Sequence, residues 1–255
     1  MYPKRLATTG VALAAAFGLA LTGCAPTTSG DTTTGVPPSS SAPADPQAEL
    51  TAAFEQLNKQ SARVKVTSPL INGSGVLDPV AKTSDMTMDM GAMGKIQMIS
   101  TGDDVYLKMT GTLAAGSSGD KWLHMDMSKV SDDSQFKILA DGDPGNVRKM
   151  LKSIVTVERT GPGAYAGTLD YSKAGDETAD VVKTFGDGAK SVPFTAAVDS
   201  EGRLTELVID MTVLAESLGE MRSTYSDFGL SVTATAPPAK QVEKAPMDLL
   251  EAFGG

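Results

Sequence analysis

The sequence predicts an α+β fold, a single domain over residues 47–255 built on an antiparallel sheet. Three observations carry this. Apolar spacing is helical at the start of the domain and then switches to a period of two. Short segments of the second period recur, separated by breaks rich in Gly, Asp and Ser, as strands joined by tight turns require. No interior stretch is rich enough in Pro and Ser to mark a domain boundary.

Taken in order, Asp45-Pro46 supplies an N-cap and a first-turn proline. Leu50, Phe54, Leu57 and Ser61 fall on one face, so Gln47–Gln60 is expected to be an amphipathic helix. Val64 and Val66 then alternate with Arg63 and Lys65. Ile71–Leu77 carries Gly73 and Gly75, and Met86, Met88 and Met90 alternate with Thr87 and Asp89. Lys95–Thr101, Asp104–Met109 and Lys121–Met127 complete a first meander. Helical spacing returns between Ser128 and Ser153, with a capped start at Asp143-Pro144 and a stripe of Val147, Met150, Leu151 and Ile154. A second set of strands follows at Ile154–Arg159, Ala164–Tyr171, Val192–Asp199, Arg203–Met211 and Thr224–Ala234, interrupted by a short helix within Asp176–Phe185. Asp199 to Arg203 reads as a hairpin turn with Gly202 at positive φ, and Pro246–Phe253 as a closing helix. Alternation turns Val105, Leu107 and Met109 to one face, and likewise Leu207, Ile209 and Met211, because Lys108, Glu206 and Asp210 must meet water.

Upstream of the domain, Leu21-Thr22-Gly23-Cys24 resembles a bacterial lipobox, with the sequence's only cysteine at its end. Lys4 and Arg5 precede an apolar run from Leu6 to Leu21 that is shorter than the ~20 residues a membrane-spanning helix needs. Residues 1–23 are thus expected to be a lipoprotein signal peptide. The lipobox resemblance implies that Cys24 is acylated and becomes the anchored N-terminus, on the extracytoplasmic face of the cell membrane. Two or three acyl chains hold stably where one holds only marginally. Residues 25–46 are Ser, Thr, Pro, Gly and Ala with almost nothing to bury, which predicts a disordered tether averaging roughly 25 Å end to end.

Loss of Lys4 and Arg5 with the signal peptide takes the net charge from −9 to −11, which argues against nucleic acid as a partner. With Cys24 committed to lipid, no thiol remains for disulfides, zinc or redox chemistry, and no cofactor is expected. Catalytic signatures are weak. Ser134-x-x-Lys137 lacks the companion elements of a penicillin-recognising site, Gly-x-Ser-x-Gly is absent, and His124 is the only histidine. No enzyme is predicted. Met86, Met88, Met90 and Met93 with His124-Met125 offer soft ligands for Cu(I), but alternating methionines on a strand equally make a buried row.

Several stretches together resemble the LppX/LprG type of actinobacterial lipoprotein, a relative of LolA-like envelope proteins. They are the lipobox and tether before an amphipathic helix, Gly102-Asp103-Asp104-Val105-Tyr106-Leu107-Lys108-Met109 with Lys121-Trp122-Leu123, Ser191-Val192-Pro193-Phe194 leading into Val198 to Leu204, and Ala236-Pro237-Pro238-Ala239. The resemblance implies an incomplete antiparallel β-barrel whose concave face is covered by helices, with an apolar cavity between the layers for lipid acyl chains. Its implied function is carriage or presentation of lipids or glycolipids in the envelope, with an envelope transporter as a possible partner. A non-transporting sensor or interaction lipoprotein on the same fold is the alternative. Methionine is flexible and polarisable and suits such a wall. The cavity candidates are Met86, Met88, Met90, Met98, Val105, Leu107, Met109, Phe194, Leu207, Ile209 and Met211.

Overall fold

The first helix begins where the sequence places it: the Asp45 carboxylate accepts from the Gln47 amide at 3.2 Å, and Pro46 occupies the first turn. This helix, α1, spans Pro46–Gln56 in a computed structural model that describes residues 45–114, 120–129, 147–174 and 179–246. The predicted stripe is buried: Leu50, Phe54, Leu57 and Ser61 all face inward, joined by Ala53. The helix stops short of the expected Gln60 because the chain tightens into i to i−3 bonds at Leu57, Asn58 and Lys59.

Six strands follow: β1 (Ala62–Thr67), β2 (Asn72–Asp78), β3 (Thr83–Asp89), β4 (Lys95–Thr101), β5 (Asp104–Met109) and β6 (Trp122–Asp126). Helix α2 (Val147–Ser153) leads into β7 (Ile154–Gly161) and β8 (Ala164–Leu169). Helix α3 (Ala179–Phe185) precedes β9 (Val192–Val198), β10 (Leu204–Asp210), β11 (Glu220–Ser226) and β12 (Val242–Lys244). All lie in one compact unit, Ala42–Gly255. The Asp143-Pro144 cap and all but the first residue of the Pro246–Phe253 helix fall outside the described residues.

The twelve strands form one sheet in the order β12-β6-β5-β4-β3-β2-β1-β11-β10-β9-β8-β7. The two meanders fuse where β1 pairs antiparallel with β11, Val64 opposite Tyr225 and Val66 opposite Ser223. The edge strands β12 and β7 do not pair, so the sheet is open. All pairings are antiparallel except β12 with β6. That short strand was not predicted, since three residues carry no period; an ion pair from Lys121 to Glu243 holds it in place.

Several strand boundaries differ from expectation. The predicted Thr224–Ala234 strand is instead Glu220–Ser226. Gly219 (φ 59°) opens it, and Asp227 (φ 50°) turns the backbone out of the sheet. The runs ending in Met90 and Met211 each stop one residue earlier. Asp89 accepts from the Gly91 amide at 2.9 Å and Asp210 from the Thr212 amide at 3.0 Å, so each aspartate folds the chain into a turn. The Asp199 to Arg203 hairpin forms as read, with Gly202 at φ 77° and Asp199 accepting from the Glu201 and Arg203 amides.

One face of the sheet carries two separate packed cores. Under α1, Leu50, Phe54 and Leu57 meet Ile154, Tyr165, Leu169, Val192, Phe194 and Leu204. At the other end Met98, Val105, Leu107 and Met109 meet Leu123, Met125, Met127 and Ala245.

Candidate ligand cavity

Between the two cores lies a cavity of about 310 Å³. It follows from the register. In the row Val64–Gly75–Met86–Met98, and in the next row Val66–Gly73–Met88–Ile96, a glycine of β2 stands where a side chain would otherwise fill space. A Cβ on Gly75 would lie 2.5 Å from the Met86 sulfur and 2.2 Å from the Asp85 carbonyl oxygen; a Cβ on Gly73 would lie 3.4 Å from Met88 Cγ. The Met86 and Met88 side chains therefore settle over bare β2 backbone, and both form part of the cavity wall. β10 and β11 contribute Leu207, Ile209, Met221 and Tyr225 to its wall, α2 contributes Met150, and the end of α1 contributes Leu57 and Asn58.

On the β3 and β4 side the cavity is polar at one end. Ser84 and Ser100 are buried and hydrogen-bonded to each other at 3.1 Å, which satisfies both hydroxyls inside an apolar wall. Beyond them the turn between β2 and β3 brings Asp78, Lys82 and Thr83 to the rim. Burial pushes the Tyr225 phenol up to about 12, with the Ser223 hydroxyl pulling the other way, so the ring stays neutral at ordinary pH. An apolar wall with few polar groups at one end can take an apolar tail and orient it by its head.

Of the candidates read from sequence, Met86, Met88, Met98, Leu207 and Ile209 line this cavity. Val105, Leu107 and Met109 share the inward face but are packed among neighbours in the second core, and Phe194 lies in the core under α1. Met90 and Met211 are in the turns that end their strands. Cys24 lies outside the described residues. Sequence reasoning missed Val64, Val66, Met221 and Tyr225. The paired glycines of β2 were the available signal, since Gly in a strand marks bare backbone. Strand ends were also legible: Asp89-Met90-Gly91, Asp126-Met127-Ser128 and Asp210-Met211-Thr212 share one aspartate turn.

The histidine of the copper reading is set apart from Met86 and Met88. Met86 and Met88 face inward, whereas His124 alternates with inward-facing Leu123 and Met125 on β6 and so points to the other face. There it meets Asp104 at 2.6 Å and stacks on Tyr106. No group of three or more His, Cys, Asp or Glu side chains suited to a metal ion occurs among the described residues. Ser134 and Lys137 lie outside them.

A latch outside the cavity holds α1 to the sheet. Tyr165 donates to the Glu49 carboxylate at 2.7 Å and Arg159 pairs with the same oxygen. The Tyr165 hydrogen bond first, and Arg159 second, hold the Glu49 carboxyl below its usual range.

Comparison with protein-family models and with curated proteins gave no match to this chain.

Proposed function

We propose that this chain is a membrane-anchored lipoprotein that holds an acyl chain in the cavity between its two cores and carries or presents lipid in the cell envelope. The observation that carries this reading is the cavity itself: about 310 Å³, walled largely by Val, Leu, Ile and Met, between the two packed cores. Unfilled apolar space forfeits contacts, and an acyl chain entering it restores them. The volume sits at the low end of the range for small-molecule sites, about 300–1,000 Å³, so it suits one chain. In this reading the open sheet is an incomplete barrel of LolA-like type with α1 and α2 over its inner face. Cys24 provides the anchor, residues 25–46 the tether, and a transporter of the envelope the handover partner. Catalysis has no part in it.

The test uses the chain from Ala25 onward, which retains the whole compact unit Ala42–Gly255. Purified from a lipid-containing host without detergent, it should yield acyl lipid near one mole per mole on extraction and mass spectrometry. A protein that purifies empty and takes up no acyl probe belongs instead to the sensor or interaction class.

A further inference from the structure

From the rim of the cavity we infer that its occupant is a single-chain amphiphile with an anionic head group, carboxylate or phosphate, seated at Lys82. The inference rests on the acyl-chain reading above and adds the head-group class and the direction of entry. Lys82 is the one cation among the described residues that line the cavity, and Asp78 the one acid. They are not equivalent. One oxygen of the Asp78 carboxylate, Oδ1, accepts the Val80 and Ala81 amides at 3.0 and 2.9 Å, which fixes that group within its own turn. Lys82 holds its place at a conformational cost. Its backbone is left-handed at φ 51°, where Gly or Asn would be easier, and its carbonyl is pinned by the Gly102 amide at 3.0 Å.

The ammonium meets Asp103 at 3.1 Å, but both side chains are about half exposed, so the pair is weak in water and a ligand anion can displace it. Along β3 and β4 behind Lys82 polarity falls off in order, while β11 sets the Tyr225 phenol and the buried Ser223 hydroxyl beside the Met86 and Met88 rows. The Ser84–Ser100 pair comes first, then Met86 with Met98, then Met88 beside Val66. From Thr83 to Met88 is five strand steps, roughly 17 Å at about 3.3 Å per residue. That depth takes an extended tail of medium length with its head left at Lys82.

Delipidated chain from Ala25 is titrated calorimetrically with laurate, dodecyl phosphate and dodecanol, which share a tail and differ in charge. The wild type should bind at least one of the anions about tenfold more tightly than dodecanol, and which one identifies the head group. Lys82→Met keeps the aliphatic stem, and Lys82→Asn suits the left-handed backbone, so loss of fold cannot explain both. Each should bring the anion down to the alcohol's affinity, while Asp103→Asn, which removes the competing carboxylate, should widen the gap. Equal binding of anions and alcohol to the wild type, or an anion preference that survives both Lys82 changes, overturns the inference and leaves the acyl cavity standing. Failure of all three ligands to bind wild type overturns both.

Discussion

Leu107 and Met88 are two apolar side chains on the same inward face, and an indole at each should have opposite consequences. Leu107 is 5 % exposed and is flanked across the strands by Met98 and Leu123 within the second core. Leu107→Trp must push packed neighbours off their rotamers, which typically costs about 1–3 kcal/mol. For a unit of this size each kcal/mol lowers the melting temperature by roughly 2–4 °C, so the expected fall is about 2–12 °C. Met88 lines the cavity, and Met88→Trp can lay its ring into the 310 Å³ space with little displacement. Its melting temperature should stay within about 2 °C of wild type, while co-purifying lipid is lost. Scanning calorimetry of both variants, with lipid extraction from the same preparations, reads the two effects separately. Should Met88→Trp melt as low as Leu107→Trp, or keep its full complement of lipid, the hollow is not where ligand sits.

Further outcomes follow from the same geometry. Gly75→Ala should destabilise by ~3 kcal/mol or more, because the new methyl would meet the Asp85 carbonyl at 2.2 Å, whereas Gly73→Ala meets only ordinary contacts and should fall within ~1 kcal/mol of wild type in urea denaturation. Glu49 has a depressed folded pKa, so its contribution is present above the unfolded value near ~4.3 and is lost as pH falls through the lower folded value. Tyr165→Phe removes the main cause of that depression, so hydrogen exchange of the α1 amides should show the helix loosening at a higher pH than in wild type. Cys24→Ala should release the protein from washed membranes or leave it as precursor; normally sized protein still in the membrane fraction would refute the lipobox reading. Replacing Met86, Met88 and Met90 together by Leu should leave Cu(I) titrations unchanged, since His124 points away from them.

What the sequence reveals and what it conceals divides along the range of the interactions. The Leu50, Phe54, Leu57 stripe was legible because burial on a helix follows a local period, and the Asp199 turn because one carboxylate organises its own neighbours. The pairing of β1 with β11 had no local signature. Arg63 and Ser226 meet across most of the domain, and nothing in either strand alone names its partner. The site suffers the same limit more acutely. Alternation assigned Met88 and Leu107 the same inward direction, correctly, yet a wall residue and a core residue obey one pattern. What separates them is whether something packs against them from above, which depends on elements distant in sequence.

That dependence explains why the hollow falls where it does. The apolar stripe of α1 is short, and the helix ends at Gln56 after contacting β7 and β10, so it closes only the second meander. At the opposite end Leu113, Ala114 and Ala245 come from turns and from the close of β12 to cap the methionines of β4 to β6. Among the described residues, Leu57 and Asn58 just past α1 and Met150 of α2 are what the helices bring to the cavity over the middle strands, where β2 offers glycine at two inward positions. At Gly73 an added Cβ would already touch Met88 Cγ at 3.4 Å, the Thr87 carbonyl oxygen at 3.7 Å and Val66 Cβ at 3.8 Å, so the β2 glycines let the flexible thioethers settle onto the backbone as part of the cavity wall.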